Sequence, residues 1–227
     1  MQGTQPPTSP PGAYTPTDRT VPTRSADRAA YDKELVHEIL DEGYVCHLGY
    51  VRDGAPVVLP TLYGRVGERL YLHGSTGSRP LRMTGVADPG LAVCVSVTHV
   101  DGLVLARSAF HHSVNYRSVV VHGVARQVTD PEEKRTALDA LVDHVVPGRS
   151  RDARPANAKE LAATAVIRLD LDEVSAKVRT GGVNDEPEDL PLPHWAGVVP
   201  VHTVYGTPLA ESDLAPGVAL PDYLTVL

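Results

Sequence analysis

Tyr71-Leu72-His73-Gly74-Ser75-Thr76-Gly77-Ser78-Arg79-Pro80 opens on β-forming residues, breaks at Gly74, gathers three hydroxyls around a second glycine, and ends on a cation and a proline. Proline is favoured at the first position of a helix, where its missing N–H would have no partner anyway. The stretch therefore reads as strand, polar loop, helix start. Such a junction offers backbone amides, hydroxyls and the positive end of a helix dipole to an anion. Arg79 adds a planar guanidinium suited to phosphate oxygens. The run is read as a phosphate cradle for a nucleotide-like cofactor. An ordinary polar turn ahead of a capped helix would have the same composition.

The flanks of this stretch decide what kind of sheet it joins. Upstream, residues 44–51 form an apolar run, Asp53-Gly54 is a hairpin signal, and residues 57–66 and 69–73 follow as strands around a turn at Gly67-Glu68. Downstream, a short helix is expected over 80–85 and a buried strand over 91–100. Asp101-Gly102 reads as a turn, with 103–107 pairing back, and a long strand runs over 116–128. Asp130-Pro131-Glu132-Glu133 then opens a helix, with Asp130 as cap and Pro131 in the first turn. Leu138, Leu141, Val142 and Val145 give that helix an apolar stripe. Residues 165–169 and 173–178 are the last strands. Six or more short strands joined by tight turns indicate an antiparallel barrel or sandwich, and no strand–helix repeat supports a parallel sheet.

The barrel is flanked by segments of different character. Residues 1–26 hold six Thr and six Pro and almost no large apolar side chain, so they read as a flexible arm. Apolar residues at helical spacing, Tyr31, Leu35, Val36, Ile39 and Leu40, predict a helix over about 27–42 that stops at Gly43. The tail, residues 181–227, is rich in Gly and Pro yet carries the only Trp, so it is expected to pack on the barrel or on a partner. The core domain is thus 27–180.

Composition narrows the function. With 227 residues and 42% apolar side chains, the chain is long enough to bury a substantial core. A formal net charge of −7 argues against a nucleic-acid backbone as partner. No run of about 18 apolar residues predicts a membrane span, and the N-terminus lacks an apolar signal stretch, so a cytoplasmic location is expected. Cys46 and Cys94 lie in apolar runs and read as buried free thiols.

Histidine dominates the remaining candidates. His73 sits at a strand end beside the cradle and can transfer a proton near neutral pH, or simply be a hydrogen-bonded barrel residue. His111 and His112 are adjacent, so on a strand they point to opposite faces and do not share a metal. No helical His-Glu-x-x-His and no Cys-x-x-Cys is present, and no metal site is expected. One of the pair, or His122, is the candidate if a haem iron is ligated from the side.

Several ordered motifs resemble the pyridoxamine 5′-phosphate oxidase-like superfamily of FMN-binding split β-barrels, and within it the nitroimidazole-resistance-like branch. They are Pro60-Thr61-Leu62-Tyr63-Gly64, Leu70-Tyr71-Leu72-His73-Gly74, Ser78-Arg79, Ser113-Val114-Asn115-Tyr116-Arg117-Ser118-Val119, Gly123-Val124-Ala125, Lys177-Val178-Arg179-Thr180-Gly181-Gly182 and Trp195-Ala196-Gly197-Val198-Val199-Pro200. The likeness covers about residues 27–202.

The resemblance implies a mainly β, antiparallel six-stranded split barrel with flanking helices, dimeric, with FMN at the interface between two subunits. It implies that Leu59, Pro60, Thr61, Leu62 and Tyr63 line the flavin, and that Ser75, Ser78 and Arg79 hold its phosphate, Arg79 standing where Lys is commoner. It further implies that Tyr116, Arg117 and Ser118 approach from a neighbouring strand, that Trp195 closes the site from the other subunit, and that His73 is the catalytic proton donor. The implied activity is FMN-dependent oxidation or reduction of a small organic substrate, with a nicotinamide or deazaflavin donor. The arginine pattern that binds substrate in true pyridoxamine-phosphate oxidases is not found in the tail, so that reaction is not expected. A haem-binding split barrel and a non-catalytic flavin carrier are the other readings.

Overall fold

The computed structural model describes residues 11–86 and 89–225. Their elements, in order, are β1 (Ala29–Ala30), α1 (Lys33–Glu42), β2 (Val45–Arg52), β3 (Ala55–Val66), β4 (Arg69–Ser75), α2 (Arg79–Val86), β5 (Leu91–Leu105), β6 (Ser113–Gln127), α3 (Pro131–Val145), α4 (Ala158–Ala163), β7 (Thr164–Asp170), β8 (Glu173–Arg179) and β9 (Gly197–Pro200).

All the strand pairings between these elements are antiparallel. The pairings β2–β3, β3–β4, β4–β7, β7–β6, β6–β5 and β5–β2 close a six-stranded ring. Strand β8 adds to β6, β1 adds to β8, and β9 adds to β5. This is the split β-barrel expected from the sequence.

Side-chain alternation places the core. Leu70 and Leu72 of β4 and Ile167 and Leu169 of β7 point into the ring, where they meet Ile39 and Leu40 of α1 and Val95 and Val97 of β5. Each such fully buried aliphatic contributes about 1.5–3 kcal/mol. The intervening residues Tyr71 and Val166 face outward, against Val128 and Ala137, which makes a second, smaller core beneath α3. The helix α3 lies so close to the sheet that a Cβ on Gly64 would stand 3.1 Å from the Ala140 carbonyl oxygen and the Leu141 Cα.

Two Asp-Gly pairs behave differently. At Asp53-Gly54 both residues have positive φ, 51° and 79°, which the tight primed turn between β2 and β3 requires. The expected turn at Asp101-Gly102 does not form, because β5 runs through it as one strand. A bulge between Val100 and Gly102 absorbs the extra residue while pairing to β6 continues on both sides. The Asp101 carboxylate accepts from Arg117 instead of shaping a turn. Residues 103–105 consequently extend β5 toward β9 rather than returning on it.

The helix expected over 27–42 begins later, at Lys33. Asp32 accepts from the Leu35 N–H at 2.9 Å and caps it, while Ala29 and Ala30 are held extended by pairing with Lys177 and Ala176. Residues 1–10 of the expected flexible arm lie outside the described residues. Residues 11–26 pack against the barrel. The Tyr14 ring is buried and its hydroxyl donates to Glu68, and Arg19 forms an ion pair with Glu173.

The tail is anchored at intervals. The Asp185 carboxylate is buried and pairs with the Arg107 guanidinium at 2.7 Å, β9 joins the sheet, and the Tyr223 hydroxyl donates to Asp152 at 2.6 Å. Between these points residues 201–220 are exposed. Both cysteines are free thiols, and burial pushes Cys46 up to about 12.

Candidate functional site

The barrel splits at Leu62. From Ala55 to Leu62, β3 pairs with β2; from Tyr63 to Val66 it pairs with β4. The C-terminal half of β4, His73 to Ser75, pairs with β7 and has no β3 partner. A cleft therefore opens between residues 59–62 on one side and residues 73–75 on the other. Pro60 suits this place, since a residue without an N–H belongs on a strand edge. Leu59 and Leu62 are 36% and 40% exposed, Pro60 is exposed and Thr61 half-buried.

The loop after β4 continues directly from the β4 lip of this cleft. Its amides are largely spent within the protein. Thr76 N–H donates to the Ala163 carbonyl at 3.0 Å, Gly77 N–H to Ser75 Oγ at 3.2 Å, and Ser78 N–H to the Ser75 carbonyl at 2.8 Å. What remains for an anion includes the Thr76 and Ser78 hydroxyls and the Arg79 guanidinium, so the cradle rests more on side chains than on a nest of amides. Arg79 has no ion pair among the described residues, and neither does Arg82 one turn later. Both face Arg52 and Asp53 of the β2–β3 turn across a cavity of about 440 Å³. Unpaired guanidiniums gathered in a concave place fit a phosphorylated ligand. Arg52 and Arg82 were not singled out in the sequence, because only folding brings the hairpin tip beside α2.

A larger cavity, of about 650 Å³, lies where the cleft meets α3. Leu62 of one lip and His73 of the other line it, with Leu138, Val142, Val145 and Pro155 among its other walls. Of the apolar stripe on α3, only Leu141 is fully buried, while Val142 is 41% exposed. The stripe is thus wider than the packing of α3 requires, which is the one trace of this cavity in the sequence. The rim is charged, with Asp139, Arg149, Arg154 and Glu160.

His73 stands at the edge of this cavity with its side chain reaching solvent. Desolvation by its neighbours lowers its pKa below the usual imidazole value. This favours the neutral imidazole, which carries one ring N–H and one lone pair.

The other expected site residues lie elsewhere. Tyr63 is fully buried in the barrel core, its hydroxyl donates to the Leu40 carbonyl, and burial raises its pKa. Its side chain does not line the cleft. Arg117 is committed to a clamp, donating to Glu42 from both terminal nitrogens and to Asp101 from Nε and one terminal nitrogen. Ser118 donates to the Lys177 carbonyl, and Tyr116 sits one residue earlier on β6, opposite Val100 of β5. Trp195 is 67% exposed and packs its ring edge against Gly197 at the barrel's other end. Within one chain Leu59, Pro60, Thr61 and Leu62 stand on one lip of the cleft and His73 and Ser75 on the other, Ser78 and Arg79 follow in the loop and at the start of α2 with Arg79 lining a separate cavity, and Tyr63, Tyr116, Arg117, Ser118 and Trp195 line neither cavity.

A sequence profile described as pyridoxamine 5′-phosphate oxidase matches residues 32–178, which contain the whole ring of strands and the cleft. The chain belongs to this family. Among solved structures, the flavocytochrome Anf3 from Azotobacter vinelandii is 38% identical, with a TM-score of 0.86 over 94% of this chain and 98% of that one. The FAD and haem binding protein from Mycobacterium smegmatis is 41% identical, with a TM-score of 0.82 over 88% of this chain and 96% of that one. A 5-nitroimidazole antibiotic resistance protein from Bacteroides thetaiotaomicron shares the fold at 23% identity, with a TM-score of 0.54 over 66% and 86% of the two chains. No curated protein matches the chain.

Proposed function

We propose that this member of the pyridoxamine 5′-phosphate oxidase family is a flavin-dependent oxidoreductase acting on a small organic substrate, and that it works as a homodimer. The observation that carries the reading is the cleft where β3 leaves β4, with Arg79, which has no ion pair among the described residues, four residues beyond the end of the β4 lip. Leu59, Pro60 and Leu62 offer an apolar wall to a flat aromatic ring, while Ser78 and Arg79 offer a hydroxyl and a positive charge to its phosphate. Bound flavin supplies hydride or single-electron chemistry, and the protein's part is to hold and orient it. Electrons come from a reduced nicotinamide or deazaflavin. On this reading Tyr116 and Trp195, which line neither cavity at the cleft within one chain, serve the cleft of a second copy.

Flavin extraction from the purified protein tests this directly, with chromatography telling FMN from FAD. Arg79→Ala removes one charge-assisted hydrogen bond, and flavin affinity is expected to fall by about 10–100-fold. A variant that retained the full flavin content would remove the phosphate assignment.

A second reading adds haem to flavin. It is favoured by the two relatives at 38% and 41% identity, one a flavocytochrome and the other an FAD and haem binding protein, both matched over most of their length. An intense Soret band in the isolated protein, beside the flavin bands, is the expected sign.

A further inference from the structure

We propose that residues 201–220 form a strap that closes over the β2–β3 face of a second copy of this chain, setting Glu211 and Asp213 against the second copy's Arg52 and Arg82. The proposal rests on the homodimer proposed above, and it names the segment of one copy and the face of the other that meet.

Charge singles out the tail. Of the 28 Asp and Glu in the chain, seven lie beyond Thr180, where there is no Lys or Arg. The other 21 equal the Lys and Arg in number, so the tail carries the whole formal charge of −7. An acidic loop needs no apolar side chains to stay in water, yet this one holds several. Val204 and Leu209 are 81% and 93% exposed, and Tyr205, Leu214, Val218 and Leu220 are exposed as well. Single exposed apolar side chains are ordinary, but a run of them on one segment marks a surface that something else covers.

The strap is held at both ends and by no hydrogen bond to the barrel between them. Val201 N–H donates to the Asp101 carbonyl at 3.1 Å where β9 ends, and the Tyr223 hydroxyl donates to Asp152 further on. Among the described residues, the hydrogen bonds formed by 202–220 stay inside the segment, from Leu214 N–H to the Glu211 carbonyl and from Val218 N–H to the Ala215 carbonyl. Every residue from 201 to 220 is exposed. An irregular loop longer than about 12–15 residues is usually a linker, a disordered segment or a binding element. Both anchors belong to one barrel, which excludes a linker between domains, and the outward leucines favour binding.

A matching surface exists on the same molecule. On the outer side of β2 and β3, Val45 stands opposite Leu62 and Val51 opposite Pro56, with Val58 between. At the hairpin end this apolar face runs into Arg52, and Arg82 of α2 lies across a cavity from it. Arg79, the third guanidinium there, is given to the flavin phosphate in the reading above. Arg52 has only its neighbour Asp53, at 3.6 Å, and Arg82 has no ion pair among the described residues. An apolar, acidic strap thus finds an apolar face with a basic border.

The occupant is a second copy because both halves of the match lie in one sequence. The strap is exposed along its length, so it does not lie on the face of its own barrel. A two-fold dimer presents each surface twice, and each strap then reaches the other copy's face. Stable interfaces take about 20–30 residues from each partner, a size that a strap and a sheet face from each copy reach together.

Sedimentation velocity over a dilution series of the full chain gives the dissociation constant of the dimer. Leu209→Ser with Leu214→Ser is expected to raise it by about tenfold or more. Glu211→Lys with Asp213→Lys in one chain, and Arg52→Glu with Arg82→Glu in another, are each expected to weaken self-association, because like charges then meet in both contacts. Mixed one to one, the two charge-swapped chains should form a dimer as tight as the wild type, since both contacts then join opposite charges. A strap bound to its own barrel gives no such recovery on mixing. If the leucine variant dimerises as the wild type does, or if mixing restores nothing, the strap assignment is overturned and the homodimer survives. If the wild-type chain stays monomeric throughout the series, the homodimer itself falls, and the proposal with it.

Discussion

Arg117 shows how far a single residue can be read from a chain and where the reading stops. Its place on a long strand beside Tyr116 and Ser118 was legible. Its partners were not, because Glu42 lies 75 residues away and Asp101 meets it only through the β5–β6 register. The guanidinium ties the end of α1 to the barrel and holds both carboxyls below their usual pKa values, chiefly through the hydrogen bonds it donates. Arg117→Met is expected to cost about 1–2 kcal/mol at neutral pH, a figure kept low because Glu42 is half exposed. The sign of the pH dependence follows from the depressed pKa values. The contribution is complete above about pH 4, where the unfolded carboxyls are ionised, and is lost as pH falls through the lower folded values. Urea denaturation of the wild type and the variant at pH 7 and near pH 3 should therefore show a gap that closes in acid. A constant gap would mean that Arg117 acts through packing alone. Arg79 is the opposite case, since a role in phosphate binding was suggested by its local sequence alone, and it has no ion pair among the described residues.

Elements were legible where a local signal had no rival. Asp130 caps α3 as its sequence predicts, accepting from Glu132 and Glu133 N–H groups. Asp53-Gly54 turns because nothing else competes for its residues, whereas at Asp101-Gly102 a continuous ladder with β6 and the pull of Arg117 outweigh the same dipeptide's turn preference. The cleft was legible only in part. The residues on its two lips were identified from motifs, but the change of partner along β3 is a property of the closed ring and leaves no mark on a single strand. Gly64 matters at this scale, because it is where α3 touches the sheet. Gly64→Ala pushes a methyl against helix backbone that cannot rotate away, with an expected cost of about 1–3 kcal/mol and a shifted cavity wall. Gly182→Ala meets open space and should stay within about 0.5 kcal/mol of the wild type. Thermal melts of the two variants give the comparison, and equal melting temperatures would contradict the close packing of α3.

The whole molecule presents an apolar outer face on β2 and β3. Val45 and Val51 alternate outward on one strand, opposite Leu62 and Pro56 on the other, and Val58 lies between, all exposed. An apolar patch of this kind is a natural place for association, and the cleft opens along its edge. Sedimentation velocity is expected to show a dimer, and Val58→Lys to shift it toward monomer with a loss of bound flavin. A wild-type chain that sediments as a monomer over the micromolar range would refute the paired arrangement. The barrel's fate and the tail's can also be watched apart from each other. The chain has one tryptophan and nine tyrosines, and that tryptophan is Trp195, mostly exposed in the segment that leads into β9. Indole emission excited at the red edge of the absorption band therefore reports the detachment or covering of the tail, while the melting of the barrel is carried by the tyrosines and by circular dichroism. Two optical windows on one polypeptide follow from where a single indole was placed.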